Sequence, residues 1–243
     1  MLIRKRKNKV EVEIILLTYN NISATKLSLS SIFQNTYINF GLIIIDNGST
    51  DGTTAFLKNL PEKYNNITIF LNDKNLGCIR GRNFGYEIIK SLPNYPDYII
   101  FLDNDQLVQK DWMKSYLKMI EKYDLIGIEA WQMKEDFYPL KKVISFSDYF
   151  NYVGGGGMLI KTKVIKEIGL FDEQFNPMYF EDPDLIFRVY QNNYKIGWNY
   201  HPVISHQPHQ LLNSERRIWF NNSWKKFKKK WKKFPLPIFN NSI

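Results

Sequence analysis

The sequence predicts an α/β domain built on a mostly parallel central sheet that is flanked by helices. Short runs of β-branched and apolar residues alternate with longer stretches whose apolar residues recur at helical spacing. The successive apolar runs begin about 25 to 35 residues apart, which leaves room for a crossover helix between parallel neighbours. Polar clusters follow these runs, where the ligand-binding loops of such a sheet lie.

The first half of the chain accounts for most of this pattern. Four runs rich in β-branched and apolar residues, each ended by polar residues, predict buried strands at 10–17, 42–45, 67–71 and 97–102. Helical spacing predicts three helices between them, around Leu27 and Ile32, from the 46–52 turn cluster through Leu60, and over 77–92.

The second half is less regular. It predicts a helix at 111–122, strands near 125–130 and 195–198, a glycine run at 154–157 and a helix after Asp182. No linker rich in Gly, Ser or Pro divides the chain. We therefore expect a basic segment at 1–9, one catalytic domain at 10–214, and a basic, aromatic helix or tail at 215–243.

Composition and charge exclude several classes of protein. Hydrophobic residues make up 44% and charged residues 23%, as in ordinary globular chains. The net charge is +9, but residues 1–9 carry +5 and residues 215–234 carry +8, so the body is mildly acidic. A nucleic-acid partner is not expected from this distribution. Cys78 is the only cysteine, which excludes an intramolecular disulfide and indicates a reducing compartment.

The sequence also bears on location. No apolar stretch approaches the roughly 18 to 20 residues that span a bilayer, and no secretory leader is recognisable. We expect a cytoplasmic protein, either free or held peripherally on the inner face of the membrane.

Asp103-Asn104-Asp105 follows the fourth strand run. Residues two apart on a strand point to the same side, so both carboxylates can converge on a hard cation such as Mg²⁺ or Mn²⁺ while Asn104 faces elsewhere. Polar residues that simply end a strand are the alternative. Of the clustered histidines His201, His206 and His209, one reaching this pair would favour Mn²⁺.

Glu181-Asp182-Pro183 precedes an amphipathic helix. Proline at the first helical position would make Asp182 the N-cap, which explains that residue structurally. Alternatively, one carboxylate of the pair faces a cleft as a general base.

Small and basic residues occur where a strand passes into a helix. The segment 75–85 holds Arg80, Arg82 and three glycines, a composition suited to anions, although it matches neither phosphate-loop nor dinucleotide motifs. The glycine run at 154–157 is either a bulged strand edge or a floor that lets substrate approach the backbone.

Taken together, the order of these motifs resembles that of the family 2 glycosyltransferases with a GT-A fold, from Val12 to about His206. The motifs that carry the resemblance are 17–20 (LTYN), 46–53 (DNGSTDGT), 75–85, 103–105 (DND), 154–161, 168–175 and 181–182 (ED).

The resemblance implies a GT-A, Rossmann-like nucleotide-diphospho-sugar transferase fold and inverting transfer to a glycan or lipid-linked hydroxyl, in surface polysaccharide or glycoconjugate synthesis. Asp182 is then similar to the catalytic base, with Glu181 as its supporting neighbour. A divalent metal, Mn²⁺ or Mg²⁺, would be held by Asp103, Asp105 and His206. The implied donor-binding residues are Thr18, Tyr19, Asn20, Asp46, Asn75, Gly77, Arg82, Asp103, Asn104 and Gly156, with Asp46 on the nucleotide base.

The tail has its own pattern. Phe220, Trp224, Phe227 and Trp231 form one aromatic stripe among lysines if the segment is helical. The stripe predicts either an interfacial helix on an anionic membrane, engaged through residues 215–234, or a helix whose rings complete the core.

Two rival functions remain open at this point. A nucleotidyltransferase shares the metal carboxylates and the α/β sheet, but no Gly-rich triphosphate loop follows Leu17. A non-catalytic sugar-binding module is the other.

Overall fold

The structure, a computed structural model, describes residues 2–4, 11–201, 203–206 and 213–240. Residues 2–4 are the described part of the predicted basic segment 1–9. His209 lies outside the described residues.

The elements follow one another in the alternating order that the sequence predicts. The strands are β1 (Leu2–Arg4), β2 (Val12–Thr18), β3 (Phe40–Asp46), β4 (Ile67–Leu71), β5 (Tyr98–Asp103), β6 (Gln106–Val108), β7 (Leu125–Gly127), β8 (Ala130–Met133), β9 (Pro139–Lys142), β10 (Tyr152–Val153), β11 (Met158–Lys161), β12 (Ile196–Trp198) and β13 (Ile204–His206). The helices are α1 (Ile22–Asn35), α2 (Thr53–Lys58), α3 (Cys78–Lys90), α4 (Trp112–Ile120), α5 (Thr162–Ile168), α6 (Glu181–Gln191) and α7 (Ser214–Trp231).

Eight strands form the central sheet in the order β1-β4-β3-β2-β5-β11-β7-β12. The four strands β4, β3, β2 and β5 are parallel, as are β7 and β12, whereas β11 runs antiparallel between β5 and β7. The predicted α/β class with a mostly parallel sheet is confirmed. Two smaller sheets, β10-β8-β9 and β13-β6, lie beside it.

Strand register brings the polar loops to one edge of the sheet. Thr18 at the end of β2 pairs with Asp46 at the end of β3, and Leu17 pairs with Asp103 at the end of β5. Because these strands are parallel, their carboxyl ends open into one region.

Alternating side chains of the central strands divide the core between the two faces of the sheet. Ile15 and Ile43 face a cluster that includes residues of α3, α5, α6 and α7. Ile14 and Leu42 face a second cluster that includes residues of α1, α2 and α4. Helices therefore cover both faces, as burial of continuous apolar strands requires.

One predicted strand, 125–130, is two strands. β7 ends at Gly127 and β8 begins at Ala130, in a different sheet. A Cβ on Gly127 would lie 2.4 Å from Cβ of Val153, so the break occurs where β7 passes tightly beneath β10. The break leaves Glu129 between the two strands.

The basic tail forms α7, and its aromatic stripe faces the protein. Phe227 and Trp231 are buried, and both rings contact Phe187 of α6, at centroid distances of 5.1 and 5.2 Å. Phe220 packs against Phe180 at 5.3 Å. The domain boundary predicted between 214 and 215 thus falls at the start of a helix that packs into the same core. No described helix is long and apolar enough to cross a bilayer.

Candidate active site

The carboxyl ends of β2 and β5 open into a cavity of about 610 Å³. Its walls bring together most of the residues that the sequence predicts for the site. These are Thr18, Tyr19, Arg82, Asp103, Asn104, Asp105, Gly156, Glu181, Asp182 and His206.

Two carboxylates and an imidazole converge at one end of the cavity. One ligand atom from each of Asp103, Asp105 and His206 lies within 4.8 Å of the others. The predicted reason for the convergence, strand alternation, is wrong. β5 ends at Asp103, and a turn carries Asp105, because Asn104 anchors that turn by donating to Asn20 O (2.8 Å) and Thr25 Oγ1 (2.9 Å).

His206 reaches the pair from β13, whose register opposes it to Gln106 of β6. Its Nε2 lies 3.2 Å from Asp105 Oδ1, and its Nδ1 lies 3.9 Å from Glu129 Oε1. Burial disfavours the imidazolium, but hydrogen bonding to Asp105 and Glu129 outweighs it and raises the pKa of His206 to about 9. Hydrogen bonding from His206, helped by Lys142, lowers the pKa of Glu129 to about 2 against the effect of burial.

Arg82 joins this cluster to an acidic pair. The guanidinium is almost fully buried, its Nη2 lies 2.8 Å from both carboxylate oxygens of Asp103, and its Nη1 lies 3.9 Å from Glu181 Oε1. Burial opposes the charge of Arg82, but Asp103 and the other nearby acids outweigh burial and raise its pKa. Arg82 therefore stays charged in the wall of the cavity.

Glu181 and Asp182 form the acidic pair in the first turn of α6. The prediction of Asp182 as N-cap is wrong, because Phe180 occupies that position in the left-handed region (φ 67°), so Asp182 and Pro183 are the second and third helical residues. Burial, followed by the charge of Asp182, raises the pKa of Glu181 to about 8. Burial also raises the pKa of Asp182, although Arg82 and a hydrogen bond from the Gly155 amide oppose the rise.

The glycine run forms the floor on which these carboxylates rest. A Cβ on Gly155 would lie 2.3 Å from Asp182 Oδ1, and one on Gly156 would lie 2.9 Å from Asp103 Oδ2. Only backbone without a side chain fits there.

Four predicted donor-binding residues support the rim and do not line the cavity. Asp46 is fully buried and accepts from the hydroxyls of Thr18, Ser49 and Thr54. Asn75 bonds to Asn47 and to the Gly77 amide. Asn20 holds the 46–52 loop through the Thr50 amide.

The cavity also has walls that sequence reasoning missed. Trp131 and Tyr152 come from the small sheet β10-β8-β9, Glu129 comes from the link between β7 and β8, and Arg216 and Phe220 come from α7. Nothing in the pattern around Glu129 marks it as a site residue. The basic and aromatic character of 215–234 is visible in the sequence, but its place beside the cavity is not.

Comparison with known proteins shows which protein family this chain matches. The model of Glycosyl transferase family 2 matches residues 13–184. An uncharacterised glycosyltransferase of Haemophilus influenzae is 30% identical over 115 residues, which are 47% of this chain and 44% of that protein. The chain thus spans less than half the length of this relative.

Two solved structures share the architecture. A mannosyltransferase of Pyrobaculum calidifontis, in complex with GDP-Man and Mn²⁺, aligns over 84% of this chain and 59% of its own with a TM-score of 0.64 and 14% identity. TarS 1–349 of S. aureus, in complex with UDP-GlcNAc, aligns over 83% and 60% with a TM-score of 0.63 and 18% identity. At these identities the likeness shows the fold, and the predicted GT-A fold is confirmed.

Proposed function

This chain belongs to glycosyl transferase family 2, and on that premise we propose that it moves a sugar, with inversion, from a nucleotide-diphosphate donor to a hydroxyl of a glycan or lipid-linked acceptor. Membership of the family decides against the nucleotidyltransferase and sugar-binding-module alternatives. One observation carries the finer proposal: a single cavity is lined both by the Asp103, Asp105 and His206 cluster and by the buried pair of α6. Surface polysaccharide or glycoconjugate synthesis is the proposed pathway.

The donor set of this cluster fits a divalent metal. Two carboxylates and an imidazole suit Mn²⁺ better than Mg²⁺, which prefers oxygen ligands. A Cβ at position 156 would lie 2.9 Å from Asp103 Oδ2, so glycine there keeps side-chain atoms away from that carboxylate. A cation held by Asp103, Asp105 and His206 would supply Lewis-acid stabilisation of the diphosphate leaving group.

Asp182 is the proposed general base. An acceptor oxygen would attack the anomeric carbon while the bond from that carbon to the diphosphate oxygen breaks, and Asp182 would take the hydroxyl proton. The raised pKa of Asp182 makes its ionised form a stronger base than an exposed aspartate. Burial, followed by the charge of Asp182, raises the pKa of Glu181, which favours a proton on Glu181 and the negative charge on Asp182.

The remaining residues position the donor. Thr18 and Tyr19 line the cavity at the end of β2, where a nucleotide would lie against a parallel sheet. Arg82 carries a fixed positive charge beside Asp103, suited to the diphosphate or the donor sugar. Asp46, Asn20, Asn75 and Gly77 are proposed to act through the loops that they hold.

Contact with an anionic membrane is proposed to be electrostatic only. The aromatic stripe of α7 packs against the protein core. Four lysines of the tail are exposed, namely Lys225, Lys229, Lys232 and Lys233. Each such lysine near an anionic surface contributes about 1 kcal/mol, and salt screens it. Exchange of these four lysines for Gln should abolish cosedimentation with phosphatidylglycerol vesicles. We therefore propose a cytoplasmic location with peripheral contact to the inner face of the membrane.

The decisive experiment is a donor panel. Melting temperature and release of nucleoside diphosphate are measured with uridine, guanosine and thymidine diphosphate sugars, each with Mn²⁺, Mg²⁺ or EDTA. We expect one nucleotide series to raise the melting temperature only when metal is present. His206→Ala should lose this metal-dependent stabilisation. His201→Ala is the control, because His201 is exposed and does not line the cavity. Stabilisation that EDTA leaves unchanged would refute the metal site.

A further inference from the structure

Arg216 stands apart from the other cations of the cavity. It lies in the first turn of α7 and lines the cavity half-buried. Arg82 and His206, which line the same cavity, pair with Asp103 and Asp105. Among the residues that the structure describes, no carboxylate forms an ion pair with Arg216.

The position of Arg216 places it beside the start of α6. Phe220, one turn further along α7, packs edge-on against Tyr179 at 5.5 Å and against Phe180 at 5.3 Å. Arg216 and Tyr179 both line the cavity, and the charge of Arg216 opposes the rise that burial causes in the pKa of the Tyr179 hydroxyl. Tyr179 and Phe180 both have left-handed backbone (φ 76° and 67°), a strained pair that α7 holds in place.

Under the proposed function, this end of the cavity receives the acceptor. The acceptor hydroxyl must reach Asp182, whereas the donor diphosphate belongs with the metal cluster. The part of the acceptor that extends from Asp182 past Tyr179 and Phe220 would meet Arg216.

The charges of the cavity indicate what Arg216 recognises. Five acidic side chains line the cavity: Asp103, Asp105, Glu129, Glu181 and Asp182. These carboxylates would repel an anionic acceptor near Asp182 unless a cation faced it, and a neutral acceptor needs no such cation. Arg82 and His206 are paired with Asp103 and Asp105, which leaves Arg216 for the acceptor. The planar guanidinium fork matches the oxygens of a phosphate in a bidentate manner.

We propose that Arg216, which lines the cavity together with Tyr179 and Phe220, binds a phosphate group carried by the acceptor. This subsite rests on the proposed transferase function and deepens it, since it assigns a substrate class to the acceptor side. A phosphorylated glycan and a lipid headgroup share this chemistry.

The test compares two soluble acceptors, octyl glucoside and octyl glucoside 6-phosphate, with the donor that the panel identifies. We expect the wild-type chain to favour the phosphorylated acceptor in kcat/KM, and Arg216→Gln to lose about 10- to 100-fold of that preference. Arg217→Gln is the matched control, because Arg217 is exposed, lies next in the same turn and does not line the cavity.

A second arm identifies the source of the phosphate. Phosphatidylglycerol vesicles that inhibit transfer by the wild-type chain, but not by Arg216→Gln, would indicate a lipid headgroup. If the vesicles inhibit neither the wild-type chain nor Arg216→Gln, and the wild-type chain still prefers the phosphorylated soluble acceptor, the result would indicate a phosphorylated glycan.

Several results would overturn the subsite. It fails if the wild-type chain shows no preference, if Arg216→Gln keeps the preference, or if Arg217→Gln loses as much. It also fails if Arg216→Gln weakens donor binding instead. These failures are distinct from failure of the proposed function, in which wild-type chain would release no nucleoside diphosphate from any donor.

Discussion

The indole nitrogen of Trp231 donates a hydrogen bond of 2.9 Å to the buried carboxylate of Asp184, and this bond joins the last turn of α7 to α6. The same carboxylate lies 2.9 Å from Arg188 Nε and 2.6 Å from Lys230 Nζ. Asp184 follows Asp182 by two residues. The contacts that hold α7 against the domain therefore also fix the helix that carries the proposed base.

Trp231→Phe should lower the free energy of unfolding by about 1 to 2 kcal/mol, because it deletes a buried hydrogen bond while keeping most of the ring. Urea denaturation measures the change. Trp219→Phe on the same helix is the control, since its indole bonds to no described residue. Equal losses in both variants would show that the bond to Asp184 contributes nothing specific.

Asp182→Asn should lower sugar transfer by roughly 10²-fold or more, the scale of a lost general base, and leave donor affinity within about twofold. The side chain keeps its size, so the cavity keeps its shape. Steady-state transfer and nucleotide titration give the two numbers. Near-normal transfer by this variant would remove Asp182 from the proposed role.

The free energy of unfolding should fall as pH rises, because folding raises the pKa of Glu181. Its pKa is raised from 4.5 to about 8, so between these values the folded chain binds a proton that the unfolded chain has released. The stabilisation is complete below about pH 4.5 and is lost as pH rises through about 8. Glu181→Gln should therefore gain stability relative to wild type from pH 5.5 to 8.5.

Urea unfolding at pH 5.5, 7.0 and 8.5 measures this difference. Glu62→Gln, at an exposed position, controls for the general effect of removing a carboxyl group. A constant difference between wild type and Glu181→Gln across the range would contradict the assignment.

The glycine run offers three matched substitutions. Gly155→Ala should impair transfer, because its Cβ would lie 2.3 Å from Asp182 Oδ1 and 2.9 Å from Arg82 Nη1. Gly156→Ala should weaken metal and donor binding, because its Cβ would lie 2.9 Å from Asp103 Oδ2. Gly154→Ala should resemble wild type, since its nearest neighbour would be at 3.9 Å, an ordinary contact.

Transfer rates and Mn²⁺ titrations of the three variants separate these effects. If Gly154→Ala were as impaired as the other two, general rigidity of the run would explain the result better than space beside the carboxylates.

The parallel half of the fold could be predicted because its buried strands are runs rich in apolar and β-branched residues, as at Leu42 to Ile45. The residues of the candidate metal site, Asp103, Asp105 and His206, could be predicted, but the reason for their convergence could not. The turn that carries Asp105 depends on hydrogen bonds from Asn104 to distant parts of the chain. Phe180 gave no sign that it would displace Asp182 from the N-cap, because a left-handed aromatic residue is imposed by tertiary packing.

The features that the sequence did not predict depend on contacts between residues that are far apart in the chain. An aromatic stripe such as Phe220 to Trp231 has the same pattern whether lipid or protein covers it, so the sequence left both possibilities open. Asp46 lies in a motif that predicts nucleotide binding, yet its carboxylate accepts hydrogen bonds from three neighbouring hydroxyls. Arg216 enters the cavity only because α7 folds back on α6.

That fold-back has a consequence during synthesis. The cavity draws its walls from residues as far apart as Leu17 and Phe220, and Phe227 and Trp231 complete the core beneath α6. A nascent chain that has emerged only as far as His206 carries the acidic pair on a helix whose apolar side is still uncovered. α7 must therefore emerge from the ribosome before the apolar side of α6 can be covered and the cavity wall that α7 supplies can form.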